Sequence, residues 1–420
     1  MDRRQFLATS GLSFVAISAN ISATRAQSGG QTAPIRIGLM APLTGVAAAG
    51  GREIVDGFTM AWADAGNMAG GRKVEIIVED DASNPDTALQ KARRLVEQTK
   101  VDFLAGNLLA NTGLAVANYV KGNGVPYFIP VIAANDLTQR GRIKNVIRCG
   151  GYAASQFSPP LADWALKQGY RKVAMIAQDY TFGHEQCGGF AQVFTEGGGT
   201  VLGQFWHPLN TSDFSPYLGQ VASLKPDVVF GMETGADSTR LVQQYASFGL
   251  KGRIPLLGAQ NTIDQSVIRT MGPECEDIIS AAHFAEGADL PATQAFVKAY
   301  SDKYGKIPSL YGFTHYIGGM WLAKAINAIN GKIEDRNLFL DTVMKTDLPT
   351  SPLGKPVRLD EYGNPIYDVF IRKVVKNKDG KYWNAPIETY PQVSQFWKYD
   401  PATYMKQPPY SRDFQGIKKA

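Results

Sequence analysis

From Pro34 onward, short runs rich in β-branched and aromatic residues alternate with stretches whose apolar positions recur every three or four residues. IRIGLM (35–40), KVEIIVED (73–80), VDFLAG (101–106) and VPYFIP (125–130) predict four strands. Three amphipathic helices lie between them. The first places Ile54, Val55, Phe58, Ala61, Trp62 and Ala65 on one face. The second starts at the cap Asn84, with Pro85 in its first turn, and presents Ala88, Leu89, Ala92, Leu95 and Val96 to the core. The third runs from about Thr112 to Lys121. A second series begins after residue 150, with strands predicted at 171–179, 200–206, 227–232 and 254–258 and helices near 183–196, 213–224 and 236–249. Strand–helix alternation builds parallel sheets, and one core seldom grows past roughly 250–300 residues. The chain of 420 residues therefore predicts an α/β protein with two doubly wound parallel-sheet lobes.

Beyond Ala281 the pattern changes. A helix pair is predicted at 292–304 and 311–330, the second with Tyr316, Met320, Ala323 and Ile326 on one side. VRLDEYGNPIYDVFIRKVV (357–375) reads as a hairpin turning at Glu361, Tyr362, Gly363 and Asn364. Residues 386–420, rich in aromatics and prolines, read as a strap lying on a surface. At the other end, MDRRQFLATSGLSFVAISANISATRA resembles a twin-arginine export signal: Arg3 and Arg4 precede a weakly apolar stretch, and small residues lead to a cleavage expected after Ala26. The expected destination is the periplasm. No stretch reaches the roughly 18 consecutive apolar residues that span a bilayer, so no membrane insertion of the mature chain is expected.

Composition removes several functions. The 43 Lys+Arg against 38 Asp+Glu are dispersed, without the basic run that a nucleic-acid surface concentrates, so no nucleic-acid partner is expected. Cys149, Cys187 and Cys275 lack the spacing of a zinc site or a disulfide scaffold. Gly45 and Gly50 have P-loop spacing, but Gly51 and Arg52 stand where Lys and Ser/Thr are needed. His184-Glu185 begins like a zinc-protease helix and then has Gly188 in place of the second histidine. Glu79, Asp80 and Asp81 sit at a strand end before a capped helix, where carboxylates serve the local structure. Neither a catalytic set, nor a cofactor, nor a metal site emerges.

The runs MAPLTGVAAAGGREIVDGFTMA, VEDDASNPDTALQKARRLV, LTQRGRIKNVIRC, QDYTFG and SDFSPYLGQVASLKPDVV, with Phe248-Gly249-Leu250 after a helix, resemble the leucine/isoleucine/valine-binding family, the type I periplasmic binding proteins of ABC transporters. The resemblance extends over about residues 34–375. It implies two lobes joined by three hinge strands: 34–150 with 283–352, and 151–282 with 353–385. It also implies closure over a small ligand, delivery to an inner-membrane ABC permease, and a monomer. Loops 41–52, 107–112 and 131–135 are then expected to face loops 179–183, 232–236 and 258–262.

Departures from the family pattern point to the ligand. Amino-acid-binding members hold the α-carboxylate and α-ammonium with hydroxyl and acidic groups; the aligned positions here are Ala110, Ala133 and Gln260. A buried ammonium without a carboxylate is costly. Gly50 replaces an aromatic residue of the first loop and is expected to leave room. The implied ligand is an aromatic carboxylate, its ring on Phe182 and Tyr152 and its carboxylate on the N–H groups of Asn111 and Thr112, the Thr112 hydroxyl and Arg52. Leu109, Val131 and Thr234 complete the expected lining. The alternatives are a conventional branched-chain or other amino acid, its ammonium held by Glu233 or Asp179, an exported cofactor enzyme, or a sensory partner of a receptor kinase. Cys187 and Cys275 fall in one lobe, and their pairing stays open.

Overall fold

The protein is described here by a computed structural model covering residues 33–417. The twin-arginine segment and the cleavage position at Ala26 lie outside the described residues. Sheet one holds β1 (Ile35–Ala41), β2 (Met68–Ala69), β3 (Arg72–Asp80), β4 (Phe103–Gly106), β5 (Tyr127–Phe128) and β6 (Val146–Ile147), in the order β2-β3-β1-β4-β5-β6. Its pairs are parallel apart from β2–β3. Sheet two holds β7 (Lys172–Gln178), β8 (Thr200–His207), β9 (Val228–Met232), β10 (Leu256–Gly258), β11 (Ile279–Ala282), β12 (Arg358–Leu359), β13 (Pro365–Lys376) and β14 (Tyr382–Val393). Here β8-β7-β9-β10-β11 run parallel, and β13 adds antiparallel to β11.

Helices α1 (Ala48–Asp64), α2 (Pro85–Arg93) and α3 (Ala110–Asn123) follow the strands of sheet one. After β6 the chain passes to sheet two with α4 (Ser158–Lys167), α5 (Thr181–Glu196), α6 (Ser215–Ser223), α7 (Ala236–Ser247) and α8 (Gln265–Met271). After β11 it returns through α9 (Pro291–Tyr304), α10 (Leu310–Ala328) and α11 (Arg336–Lys345), and then crosses a third time to β12. The return to sheet one is fixed by packing: Phe339 of α11 meets Phe103 and Phe128 at ring distances of 5.5 and 5.4 Å. Gly57 of α1 and Gly312 of α10 bring the two backbones so close that a Cβ on Gly57 would overlap the Gly312 carbonyl.

Three expectations need correction. The helix predicted to show one apolar side, α10, is buried around most of its circumference, while Tyr316 and Met320 of the supposed apolar side are only half-buried. Neighbours on several sides make amphipathicity unnecessary there. The turn at 360–364 forms, with Asp360 Oδ1 accepting the N–H groups of Tyr362 and Asn364 at 2.9 Å, but it joins β13 to the two-residue β12. The long hairpin partner is β14, so residues 386–393 belong to the sheet, not to a strap. The chain beyond 394 does lie along the surface: Arg140 donates to the Tyr404 and Gln407 carbonyls, and the Tyr410 hydroxyl to Gln192. Cys149, Cys187 and Cys275 are all buried and free.

Candidate functional site

Strand order reverses between β1 and β4 in sheet one, and loops leaving the carboxyl ends of strands in both sheets converge on one crevice. A narrow cavity lies there. Leu108, Ala110, Val131 and Ala133 line it from sheet one, and Tyr152, Tyr180, Phe182, Thr234 and Asn261 from the first crossover and sheet two. Larger grooves lie at the hinge and at the amino ends of β10 and β11, away from these strand ends.

Two helices begin at the cavity wall. Ala110 is the first residue of α3 and Phe182 the second of α5, and neither helix has a side-chain cap. First-turn N–H groups have no intrahelical acceptor, and the helix start carries about half a positive charge. An anion in the cavity would therefore meet two such ends, one from each lobe. The rest of the lining is rings and weakly engaged hydroxyls. The Tyr180 and Thr234 hydroxyls are 3.3 Å apart, and Tyr152 Oη donates to Asn261 Oδ1 at 3.4 Å, both long for hydrogen bonds. Burial, more than any neighbouring group, pushes the Tyr152 and Tyr180 phenols up, so both stay protonated donors. Among the described residues, neither a carboxylate nor a cationic side chain lines the cavity.

Half of the residues expected from sequence meet here: Ala110, Val131, Ala133, Tyr152, Phe182 and Thr234. Gly50 stands one layer behind. The room it was expected to leave is filled, because a Cβ at Gly50 would lie 2.7 Å from Leu108 and 2.8 Å from the Tyr311 ring. Leu109 is the N-cap position of α3 and is buried outside the lining. The N–H and hydroxyl of Thr112 are already used, by Asn111 Oδ1 at 3.0 Å and the Leu109 carbonyl at 2.8 Å; neither Asn111 nor Thr112 lines the cavity. Arg52 is exposed on α1 and does not line it.

Gln260 is wholly buried behind the wall, its Oε1 accepting from Gln186 at 2.8 Å and its carbonyl from Arg372 at 2.7 Å. The next residue, Asn261, faces the cavity instead. Nor do the alternative ammonium partners reach it. Glu233 accepts from His207 at 2.8 Å inside lobe two, while Asp179 pairs with His184 and Arg412, each at 2.8 Å. Sequence reasoning missed Leu108, Tyr180, Asn261 and Tyr311. The first two stand two residues beyond a strand end, a signal that was present. Tyr311 arrives from α10 without any local sign.

Other titratable clusters serve structure. Glu79 pairs with Lys91 at 2.8 Å, Asp81 accepts from Asn107 at 2.7 Å, and Asp80 pins the 41–46 loop through Leu43 and Thr44. His207, Glu233 and Asp237 have metal-ligand chemistry, but Asp237 accepts from Gln178, Asn210 and Arg240, whose guanidinium opposes a cation.

The two lobes are closed on each other. Glu53 of α1, 1% exposed, accepts from Tyr300 at 2.6 Å and pairs with Lys306 at 3.3 Å and, across the cleft, with Arg269 of α8 at 2.8 Å. Asp264, which caps α8, accepts the Leu310 N–H at the start of α10 at 2.7 Å. Asn261 Nδ2 donates across the cleft to Tyr311 at 2.8 Å, and the Ala236 N–H donates to the Val46 carbonyl at 3.2 Å.

Residues 34–381 match the model of a family described as periplasmic binding protein. A Leu/Ile/Val-binding protein homolog 6 of Brucella melitensis is 27% identical over 363 residues, spanning 85% of this chain and 91% of that one. An ABC transporter substrate-binding protein from Sphaerobacter thermophilus superposes with TM-score 0.80 at 32% identity, over 86% of this chain and 99% of its own. A solute-binding protein of an ABC transporter from Rhodopseudomonas palustris BisB5, in complex with 3,4-dihydroxybenzoic acid, gives TM-score 0.80 at 27% identity, over 86% and 98%.

Proposed function

The chain belongs to the periplasmic binding protein family, and from that membership we propose that it is an exported receptor capturing a small aromatic carboxylate and handing it to an ABC permease. It acts as a monomer, sent out by the twin-arginine segment and cleaved near Ala26. Among the described residues, no helix is long and apolar enough to cross a membrane.

The observation that carries the ligand assignment is the lining. Phe182, Tyr152, Leu108 and Val131 suit a flat ring, two helix starts suit a carboxylate, and no acidic side chain among the described lining residues neutralises an ammonium. The Rhodopseudomonas relative with 3,4-dihydroxybenzoic acid supports the same chemistry. The carboxylate is assigned to the Ala110 and Asn111 N–H groups of α3, with α5 opposite, in place of the already engaged Thr112. Closure removes water and strengthens each of these contacts.

Titration of the purified protein with benzoate, 4-hydroxybenzoate and leucine, followed by calorimetry, tests this reading. Dissociation constants of about 1 μM for the aromatic acids, about −8 kcal/mol, are expected, with leucine silent. Phe182→Ala is expected to weaken the aromatic acids about tenfold through loss of ring contact. Leucine binding with both aromatic acids silent overturns it.

A further inference from the structure

The cavity wall contains one side chain that touches both the ligand space and the opposite lobe. Asn261, on the loop after β10, lines the cavity and donates through Nδ2 to the Tyr311 hydroxyl on α10 at 2.8 Å. That strong bond sets the amide's direction. Its Oδ1 is left with a single long contact, the Tyr152 hydroxyl at 3.4 Å, and so keeps capacity for another donor. The side chain of Gln260 also faces the Tyr152 hydroxyl, and its Nε2 is buried without a partner. Tyr152 can therefore accept from this second amide while its own O–H turns from Asn261 Oδ1 to a ligand.

We propose that Asn261 selects a ring hydroxyl on the ligand and, through Tyr311, ties its recognition to lobe closure. This rests on the aromatic-acid reading above and names the group such a ligand carries at its lobe-two end. A phenolic hydroxyl donates to Asn261 Oδ1 and accepts from Tyr152. An unsubstituted ring leaves that buried acceptor with its long contact, and a site built to bond a hydroxyl rejects the analogue that lacks it. Tyr311 plays a different part. It is a positioning residue, holding the amide from the other lobe while its ring lies against Gly50 and Leu108 keeps the same company.

The two roles separate in one experiment: calorimetric titration of the wild type, Asn261→Leu and Tyr311→Phe with benzoate and with 4-hydroxybenzoate. The wild type is expected to prefer 4-hydroxybenzoate by about tenfold or more. Asn261→Leu is expected to bring that ratio to about one, whereas Tyr311→Phe, which frees the amide to turn, is expected to weaken both acids about three- to tenfold and to lower the ratio without abolishing it. Asn261→Ala serves as the second variant should circular dichroism show that Asn261→Leu does not fold. Equal binding of the two acids by the wild type, or an unchanged ratio in a folded Asn261 variant, overturns this inference while leaving the aromatic-acid reading standing. Leucine binding with both acids silent removes the reading beneath it and this inference together.

Discussion

Two regions hold the same pair of lobes together by opposite means. At the cavity, rings and neutral groups meet across a small space: one neutral bond, Asn261 to Tyr311 at 2.8 Å, crosses the cleft, and the hydroxyl contacts of 3.3 and 3.4 Å on the lobe-two side are loose enough to be exchanged for a ligand. At the outer latch, Glu53 is a buried charge held by Tyr300, Lys306 and Arg269 at 2.6–3.3 Å, with no ligand involved. The latch supplies closure energy independent of the guest; the cavity supplies the part that depends on it. A ligand shifts the open–closed balance only by its preference for the closed form, so specificity belongs to the weakly bonded region.

Breaking the latch is expected to give the largest effect. Glu53→Ala leaves Arg269 and Lys306 without their shared carboxylate and is expected to cost about 3 kcal/mol. The readouts are a lower Tm and a larger radius of gyration by small-angle scattering of the ligand-free protein. An unchanged radius would show that the cavity alone closes the lobes. Gly50→Ala probes the boundary between the two regions: the added methyl must displace Leu108 or Tyr311, at an expected cost of about 1–3 kcal/mol in urea unfolding and with weaker aromatic-acid binding.

A smaller effect comes from Glu185 on α5, a further contact between the lobes, which accepts the Asn135 N–H at 3.0 Å. Burial pushes its carboxyl from the ordinary 4.5 up to about 8, the Asn135 N–H opposing. The folded protein therefore holds a proton that the unfolded chain has released, and stability attributable to this group falls as pH rises from about 4.5 to 8. Glu185→Gln is expected to flatten the decline of Tm across that window; a parallel decline in both proteins counts against it. Smallest of all is Arg52→Ala. With its side chain exposed and off the cavity wall, it is expected to change stability by less than about 0.5 kcal/mol and to leave aromatic-acid affinity within twofold. A large loss would return the anion to Arg52.

The fold was readable because its signals are periodic. Alternating strand and helix patterns placed β1, β3, β7 and β8 to within a residue or two, and Asn84 caps α2 with Oδ1 accepting the Asp86 and Thr87 N–H groups. Loops at strand ends were equally readable, so Ala110, Val131, Ala133, Tyr152, Phe182 and Thr234 reached the cavity. Side-chain direction within those loops was not. Gln260 and Asn261 are adjacent amides, and irregular backbone turned the second into the cavity and the first into the core.

Residue order by itself determined the two α/β series and the strand ends where a ligand can sit, and the family resemblance implied that no aligned acidic partner awaits an ammonium. Tertiary structure decided that Tyr311 fills the space over Gly50 and that Glu53 meets Arg269. The physical reason is distance along the chain. Hydrophobic periodicity and capping act within a turn or a strand, whereas these contacts join residues more than 200 positions apart and exist only once α10 has packed on α1 and the two separately folded sheets face each other.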